Sequence, residues 1–530
     1  MQSESLEALP KGWYLTTIGE ITLSYQTEQP KKYPSREFKY IDISSIDNST
    51  QTITVPKIFL GQDAPSRARR VVKKDDVLFS TVRTYLKNIV RVPKELDGVL
   101  TSTGIAVLRP SLAVDSNFLF YYVLSEKFIR KISSTMDGTL YPAVTDNDVN
   151  NAEILLPPLN EQKRIVAKIE ALQERSRRVK GELDTIAPLL DQFRRSVLAA
   201  AFRGDLTKDW RENHPDIEPA SVLLERIKRE RRRRWEEAEL EKMQAKGKTP
   251  TDDKWKQKYK EPEPVNTDNL PELPEGWCWT KVQHIGDVQL GRQRSPKNHT
   301  GPYMRQYLRA ANVTWSGLDL SDVKEMNFDP NDFKRFKLQY GDVLINEASG
   351  SQYEVGKPAI WRDEIPSCCI QNTLIRVRPL APIYDFLYYY FLFGAISGAF
   401  GKASKGIGIH HLGSQILADW MLKLPPENEQ KEIILRVGKI LHAINTIEEQ
   451  YKQAETDLET LNQAILAKAF RGELVPQDPD DEPASVLLER IRQEREAKGK
   501  SGKKTKRKPR KTAPKTEIEN PTQLKIEGID

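Results

Sequence analysis

Cysteine and histidine are scarce in this chain. Its 530 residues contain three cysteines, Cys278, Cys368 and Cys369, and six histidines. An odd number of cysteines without C-x-x-C spacing indicates neither a disulfide framework nor a structural zinc site. The adjacent His410 and His411 would point in opposite directions on a strand, which makes them a poor pair of metal ligands. We therefore predict that the chain holds no metal.

Long apolar runs are missing as well. No segment approaches the roughly 18 consecutive apolar residues that suggest a membrane-spanning helix, and the polar start MQSESLEALP does not resemble a signal peptide. With 38% hydrophobic and 30% charged residues, the composition is typical of a soluble protein with exposed helices. We expect several domains and a cytoplasmic location.

The net charge says little about partners. The total is +7, but ten Lys or Arg and no acid lie between Lys498 and Lys515, so the rest of the chain carries −3, seven less ten. This basic C-terminal stretch is of low complexity, and we predict that it is disordered. Any surface that binds phosphate must therefore be local.

The strongest signal is a stretch that occurs twice. It runs from LPPLNEQK to AFRGDL over residues 156–206 and from LPPENEQK to AFRGEL over residues 424–474, with an offset of 268 at both ends. Between these ends, apolar residues recur every three or four positions for more than four heptads, which indicates helices that supercoil around a partner. Packing of each helix onto its own globular domain is the alternative. The predicted seam residues are Ile165, Ile169, Leu172, Val179, Leu183, Ile186 and Leu190 in the first copy and Ile433, Val437, Ile440, Ile444, Ile447, Leu458 and Leu461 in the second.

Both stretches begin and end as helices do. A Pro-Pro pair precedes each one, Asn160 can cap the first turn, and Gly204 and Gly472 follow the last turns. Pro188 interrupts the first copy where the second copy has Thr456. An interior proline costs about 3 kcal/mol or kinks a helix, so we predict a bend or break near residues 184–187.

The repetition extends beyond the helices, which indicates a tandem duplication. Between the shared landmarks the sequences of the two copies differ widely, which is expected if the two domains bind different targets. The paired landmarks are LPKGW at residue 9 and LPEGW at residue 273, DDVL at 75 and GDVL at 341, Arg-Pro at 109 and at 378, and EPASVLLERI at 218 and at 482.

Short alternating runs such as EFKYIDIS, DDVLFSTV and GIAVLRP predict strands, and an apolar helix is predicted over residues 117–132. The fold class is therefore α+β, with two globular domains of mixed α and β structure joined by two long helices. The predicted divisions are a first domain at 1–153, a helical spacer at 154–206, a charged helical arm and linker at 207–272, a second domain at 273–422, a second helical spacer at 423–475, and a helical arm with the basic tail at 476–530.

Taken together, the LPxGW openings, the LPPxNEQ helix starts and the AFRG[DE]L helix ends resemble the specificity (S) subunit of type I restriction-modification systems over residues 9–475. The resemblance implies that each globular domain is a target-recognition domain for one half of a split, asymmetric DNA sequence. It also implies that the helices pair as an antiparallel coiled coil, space the two domains and dock methyltransferase subunits.

The same resemblance implies partners and cofactors. The partners would be double-stranded DNA, two modification (methyltransferase) subunits and, in the full complex, restriction subunits. No cofactor would bind this chain, whereas the partner subunits are expected to use S-adenosylmethionine, ATP and Mg. Pro188, the long segment at 206–272 and the basic tail depart from the family pattern.

Candidates for DNA contact follow from side-chain chemistry, because Arg and Lys bind phosphate or guanine, Gln binds adenine, and aromatic residues read shape. Each candidate is also compatible with an ordinary surface position or turn. The candidates are Arg67, Arg69, Arg70, Lys73, Lys74, Arg83, Lys87, Thr139, Tyr141, Arg292, Gln293, Arg294, Lys405, His410 and His411.

The chain's own motifs favour a protein without catalytic residues. An adenine methyltransferase needs Asn/Asp-Pro-Pro-aromatic, whereas both Pro-Pro pairs here follow Leu. The GSQYEVGK run at residue 350 has the wrong spacing for a phosphate loop and is interpreted as a turn before a strand. Two other hypotheses remain open: a coiled-coil scaffold between protein-binding domains, and a nuclease that uses Asp480 with Glu496 and Lys498.

The duplication predicts that half of the chain can pair with itself. Each half carries one domain and one long helix, so residues 1–212 alone should form a homodimer through identical seams. Sedimentation of this fragment measures its state, and Pro188 in both helices should weaken the dimer by a few kcal/mol. A fragment that stays monomeric at micromolar concentration would show that the two helices are not interchangeable.

Overall fold

The computed structural model describes residues 9–136, 142–248, 250, 252–406 and 408–502. The predicted α+β class is confirmed: short strands and helices form two domains, and long helices follow each of them. The first domain contains the strands Tyr14–Thr17, Thr22–Leu23, Glu37–Ile41, Ile46–Asp47, Thr52–Ile53, Lys57–Leu60, Ala68–Val71, Val77–Ser80, Ile89–Arg91, Leu100–Ser102, Ile105–Pro110 and Glu153–Leu156 and the α-helices Ile18–Ile21, Ser116–Leu124, Glu126–Ser133 and Asp146–Asn151.

The second domain has a matching series of elements. Its strands are Cys278–Lys281, Gly286–Leu290, Met304–Leu308, Val313–Thr314, Gly317–Leu318, Lys324–Asn327, Val343–Asn346, Ala348–Ser349, Pro358–Ile360, Cys369–Ile370, Leu374–Pro379, His410–His411 and Met421–Leu424, and its α-helices are Val282–Ile285, Pro330–Phe336, Tyr384–Ile396, Ala399–Ala403 and Ser414–Ala418.

One four-stranded antiparallel sheet has the same order in both domains. In the first domain the order is Thr22–Leu23, Ile105–Pro110, Val77–Ser80, Ile89–Arg91, and in the second it is Gly286–Leu290, Leu374–Pro379, Val343–Asn346, Pro358–Ile360. We call these the central sheets.

An ion pair explains two of the repeated landmarks. Arg109 donates to Asp76 at 3.0 and 2.8 Å, and Arg378 donates to Asp342 at 2.7 and 2.6 Å. Both carboxylates are buried, so the Asp of the DVL motif and the Arg of the Arg-Pro motif need each other.

The predicted single helix at 117–132 is divided in two. Ser125 ends the helix Ser116–Leu124 and caps the helix Glu126–Ser133, since its hydroxyl accepts a hydrogen bond from the Phe128 amide. Asp115 caps the first of the two helices, since its carboxylate accepts from two backbone amides.

The first long helix breaks where Pro188 predicts. One helix covers Leu159–Leu183 and the next Ile186–Arg203, whereas the second copy is unbroken over Glu427–Ala469. Pro188 is the third residue after the break, in a first turn whose amides lack partners within the helix, so its missing N–H costs nothing there. Gly204 ends this helix with a φ of +86°.

The chain forms two compact units, and each contains parts of both long helices. The first unit consists of residues up to Gly181 and from Glu455 onward, and the second consists of Glu182–Ala454. In the first unit Ile165 and Ile169 share a core with Ile465 and Ala469, while the later Lys180 meets the earlier Glu455, so the two helix segments run antiparallel. In the second unit Leu198 and Phe202 share a core with Val437 and Ile433 in the same sense.

Polar contacts follow the same antiparallel register within each unit. Lys180 lies 3.7 Å from Glu455 in the first unit, and Arg194 lies 3.1 Å from Glu448 in the second. The resemblance therefore predicted the direction of helix pairing correctly.

The predicted seam needs correction at three positions. Ile165, Ile169, Ile433, Val437 and Ile444 are at most 1% exposed, but Val179, Ile447 and Leu461 are 46%, 45% and 52% exposed. A straight α-helix has 3.6 residues per turn and drifts by about 20° per heptad from a strict seven-residue repeat. Over several heptads this drift moves apolar positions to the flank of the helix pair. The remaining predicted seam residues, Leu172, Leu183, Ile186, Leu190, Ile440 and Leu458, are partly buried.

Each EPASVLLERI copy starts a helix that packs on a recognition domain from the other half of the sequence. The helix Ala220–Ala245 buries Leu223 and Ile227 in the second unit, and the helix Ala484–Gly502 buries Leu488 in the first. The segment at 207–272, predicted as a charged helical arm and linker, thus contains a long helix whose start is packed against the second domain. The short helix Lys208–Glu212 precedes it.

A hydrogen bond between tryptophan and glutamate joins the LPxGW and LPPxNEQ motifs. Trp13 Nε1 donates to Glu161 Oε1 at 3.1 Å, and Trp277 Nε1 donates to Glu429 Oε2 at 2.8 Å. Both glutamates are buried, at 1% and 0% exposure. Such a bond to a buried carboxylate stabilises the fold by about 1.5–3 kcal/mol.

The AFRG motif of the opposite half completes each cluster. In the first unit Phe470 packs edge-on against Phe118 and Tyr122, and a Cβ on Gly472 would lie 2.8 Å from Pro10. We call this group, with Trp13 and Glu161, the first anchor.

The second anchor is the equivalent group in the second unit. Phe202 packs against Phe386 and Tyr390, and a Cβ on Gly204 would lie 2.5 Å from Pro274. With Trp277 and Glu429, these residues again combine motifs from both halves of the sequence. All the repeated motifs therefore have a structural role.

The two anchors differ in how the buried carboxylate is compensated. Glu429 accepts from Thr207 at 2.7 Å and from Arg211 at 2.5 Å in addition to Trp277. Burial raises the pKa of Glu161, although the hydrogen bond from Trp13 and the charge of Arg164 oppose this effect.

This difference predicts opposite effects of two matched substitutions. Because the pKa of Glu161 is raised, the folded state holds the proton of this carboxyl more tightly than the unfolded state does. The contribution of Glu161 to stability therefore falls as the pH rises above 4.5, the ordinary pKa of glutamate. Glu161→Gln keeps an acceptor for Trp13 and should leave the unfolding temperature at pH 7 unchanged or higher. Glu429→Gln leaves Arg211 without its carboxylate and should cost about 3 kcal/mol. Calorimetry between pH 5 and 8 measures both, and equal losses in the two variants would contradict the asymmetry.

Candidate nucleic-acid interface

In the first domain, three loops meet at one end of the central sheet. Thr81 donates its amide to Gly104 O, Val144 donates to Thr81 O, and Arg83 donates to Pro142 O. The loop at 81–88 connects two neighbouring strands, so these contacts bring it together with the segments at 102–104 and 142–144. We call this region the first loop end.

The second domain has the same arrangement. Glu347 donates its amide to Thr373 O, Leu412 donates to Glu347 O, and Gly291 donates to Leu374 O. The segments at 291–294, 347–357, 371–373, 405–406 and 408–411 therefore lie side by side at the equivalent end of the central sheet. We call this region the second loop end.

Each loop end displays an exposed tyrosine on the hairpin that follows the DVL strand. Tyr85 is 51% exposed and Tyr353 is 70% exposed. Arg83 and Lys87, which flank the single turn that carries Tyr85, have φ angles of 49° and 53°. A left-handed conformation costs a non-glycine residue about 1–2 kcal/mol, and such strain is concentrated at functional sites.

The second hairpin is held by a polar cluster at its base. Trp315 Nε1 donates to Glu354 at 3.0 Å, and the Lys357 ammonium pairs with the same carboxylate and lies 5.7 Å from the Trp315 ring centre. Burial alone would raise the pKa of Glu354, but the hydrogen bonds from Lys357 and Trp315 lower it below its ordinary value. The carboxylate is therefore charged at neutral pH and fixes the hairpin that carries Tyr353.

Similarity to known proteins identifies the family of this chain. Residues 10–187 match the family model described as type I restriction modification DNA specificity domain. The chain is 30% identical to the HsdS subunit from Thermoanaerobacter tengcongensis, whose crystal structure it matches with a TM-score of 0.54 over 89% of this chain and 100% of that one. The chain belongs to the type I restriction-modification specificity subunits.

Two further relatives agree with this assignment. The type I restriction enzyme EcoKI specificity subunit of Escherichia coli strain K12 is 25% identical over 528 residues, which cover 94% of this chain and 98% of that protein. A chain from a structural study of complex assembly and conformational transition of the type I R-M system is 30% identical, with a TM-score of 0.66 over 88% of this chain and 99% of that one. Membership in this family makes the protein a DNA-recognition subunit rather than the catalytic component, as the sequence predicted.

Several of the predicted DNA-contact residues lie at the loop ends of this specificity subunit. Arg67 is exposed and its carbonyl accepts from the Thr103 amide, which places it beside the first loop end. Arg69 is exposed nearby, and Arg83 is exposed on the loop itself. At the second loop end, Gln293, Arg294, Lys405 and His411 are exposed, and His410 is partly buried.

Arg70 and Arg292 are corrected to structural residues of the specificity subunit. Arg70 is 8% exposed and donates to Asp146 at 3.0 Å and to Ile105 O at 2.7 Å. The Arg292 side chain is 13% exposed and lies 2.6 Å from Asp332. A buried guanidinium with these partners cannot reach DNA without breaking its ion pair.

Three lysines of the predicted set do not belong to one surface. Lys73 and Lys74 precede the strand Val77–Ser80, whereas the first loop end follows it, so they lie at the opposite end of the central sheet. Lys87 is on the loop but forms an ion pair with Glu126. Thr139 and Tyr141 lie outside the described residues.

Sequence reasoning missed Tyr85, Tyr353 and Trp315. The signal was available in part, because a tyrosine occurs in the loop after both DVL strands. The run at residue 350 is a turn before the strand Pro358–Ile360, as predicted. Among the described ranges, no group of three side chains suits a metal ion, and no helix there is long and apolar enough to cross a bilayer.

The exposed tyrosines provide a test of the interface. Tyr85→Ala and Tyr353→Ala each remove an exposed ring, so the free energy of unfolding should change by less than about 0.5 kcal/mol. If the rings contact DNA, specific binding should weaken by about 1–3 kcal/mol per ring. Binding of target duplex by the assembled complex measures this loss. Tyr33→Ala, which removes a ring that is 50% exposed in the first domain, serves as the matched control, and equal losses in all three variants would contradict the assignment.

Proposed function

We propose that this specificity subunit selects a bipartite, asymmetric DNA target, with each loop end recognising one half-site and the long helices setting the distance between half-sites. The observation that carries the proposal is the contrast between framework and loops. The central sheets, the ion pairs and the anchors are repeated in both domains, whereas the exposed side chains at the two loop ends differ.

The difference in chemistry between the loop ends supports two distinct half-sites. The first loop end presents Arg67, Arg83 and Tyr85, and the second presents Gln293, Arg294 and Tyr353. Arginine pairs best with guanine and glutamine with adenine in the major groove, so the two sets favour different base pairs.

The spacer helices offer a surface for protein partners, and we assign it to two modification subunits. Within the second unit, Leu189, Phe193, Leu435 and Ile447 are 60%, 53%, 50% and 45% exposed. Exposed apolar residues along a helix pair are typical of an interaction site. Restriction subunits would join this assembly in the cytoplasm, and the partners would hold S-adenosylmethionine, ATP and Mg.

Exchange of one domain tests the division of labour. Residues 14–150 are replaced by the equivalent region of a relative with a known target, and the chimera is expressed with its modification subunit in a host free of adenine methylation. Sequencing that detects N6-methyladenine should show one half of the target changed and the other half retained. This result follows because each loop end belongs to a separate domain.

The outcome also separates the proposal from the scaffold hypothesis. A change in both halves would contradict one half-site per domain. Absence of methylation with either chain, together with binding to protein partners alone, would favour the scaffold. The control is the exchange of residues 278–420, which should change only the other half.

A further inference from the structure

A basic cavity of about 510 Å³ lies where the arm helix and the linker pack on the second domain. It is within the second unit, and its volume is in the range of small-molecule sites, about 300–1,000 Å³. The lining residues are Arg231, Arg234, Trp235, Lys258, Tyr259, Lys260, Pro262, Asp287 and Leu380.

Ring stacking and one arginine hold the cavity walls in place. Trp235 of the arm helix stacks on Trp255 of the linker with ring centres 6.0 Å apart, and Tyr259 lies 5.4 Å from Trp235. Arg231 donates to the carbonyls of Gln283 and Gly286, which ties the arm helix to the start of the central sheet. The segment predicted as linker is therefore packed against the arm, with Trp255 only 8% exposed.

The cavity has an excess of positive charge. Arg234 shares Glu230 with Arg233, and neither Lys258 nor Lys260 has a carboxylate partner within the described part of the chain. Asp287 is the one carboxylate among the lining residues. By contrast, a larger cavity of about 740 Å³ beside Gly204 pairs its cations internally: Arg203 with Asp205, Lys208 with Glu212 and Arg211 with Glu429.

Two buried donor atoms of the lining residues lack an acceptor. Arg231 Nε and the Tyr259 hydroxyl have no hydrogen-bond partner among the described residues. A buried polar group without a partner costs about 1–3 kcal/mol, and an anion with several acceptor oxygens would remove that cost. Both donors belong to residues that line the cavity.

We propose that this cavity binds a nucleotide, with the phosphates on Lys258, Lys260 and Arg234 and the base against Trp235 and Tyr259. Phosphate oxygens suit clustered cationic donors, and a planar base suits an aromatic wall. The shared chemistry, phosphate beside a base, is found in a free nucleotide and in a nucleic-acid strand. The inference does not rest on the proposed function, because Gly286 and Leu380 lie at the end of the central sheet opposite the second loop end.

Titration calorimetry on the full chain tests the site with ATP, adenosine and inorganic tripolyphosphate. We expect saturable binding of ATP that is tighter than that of either fragment. Lys258→Ala with Lys260→Ala should weaken ATP binding at least about tenfold. The matched control is Lys246→Ala with Lys254→Ala, which removes the same charge from the same segment outside the cavity and should leave binding unchanged.

Tyr259→Phe separates ligand binding from folding. It removes a hydroxyl that has no partner in the described structure, so the unfolding temperature should not fall, while ATP binding weakens. Absence of ATP binding at millimolar concentration, equal loss in the control variant, or tripolyphosphate binding as tight as that of ATP would overturn the proposal. A short duplex that competes with ATP would assign the phosphate to nucleic acid, and one that does not compete would assign it to a free nucleotide.

Discussion

The structure depends on a buried hydrogen bond from tryptophan to glutamate, made once in each unit. Trp13 with Glu161 and Trp277 with Glu429 join the first strand of a domain to the helix that leaves it. A buried carboxylate is costly unless it is hydrogen-bonded, so each glutamate needs the indole N–H of its tryptophan. This requirement accounts for the repetition of LPxGW and LPPxNEQ in both halves of the sequence.

Because the long helices pair antiparallel, each anchor contains residues from both halves of the sequence. The helix that leaves the first domain ends against the second anchor, and the helix that leaves the second domain ends against the first anchor. Each recognition domain therefore rests on segments from both halves. Within each unit, a change in the packing of one helix end will affect the domain that belongs to the other half of the duplication.

The exposed residues of the two loop ends lie outside the central sheets and the anchors. The two loop ends differ in charge and in hydrogen-bonding groups although the sheets beneath them match, so a loop can change without disturbing an anchor. Strain at Arg83 and Lys87 is tolerated because the preceding strand Val77–Ser80 is fully buried. The cavity at Trp235 lies in a segment that departs from the family pattern, and it is built on the end of the sheet that the loops do not use.

The sequence by itself determined the duplication, the α+β class, the helix pairing and the break before Pro188, because each depends on local periodicity or on the geometry of one residue. It also located several loop-end residues, such as Arg83 and Lys405. Only the tertiary structure decided which cations are free. Arg70 and Arg292 carry the same charge as Arg67 and Arg294, but Asp146 and Asp332 neutralise them from distant parts of the chain. Likewise, the exposure of Val179 and Leu461 depends on the drift of two paired helices, since a seven-residue repeat specifies a stripe and not the partner that covers it.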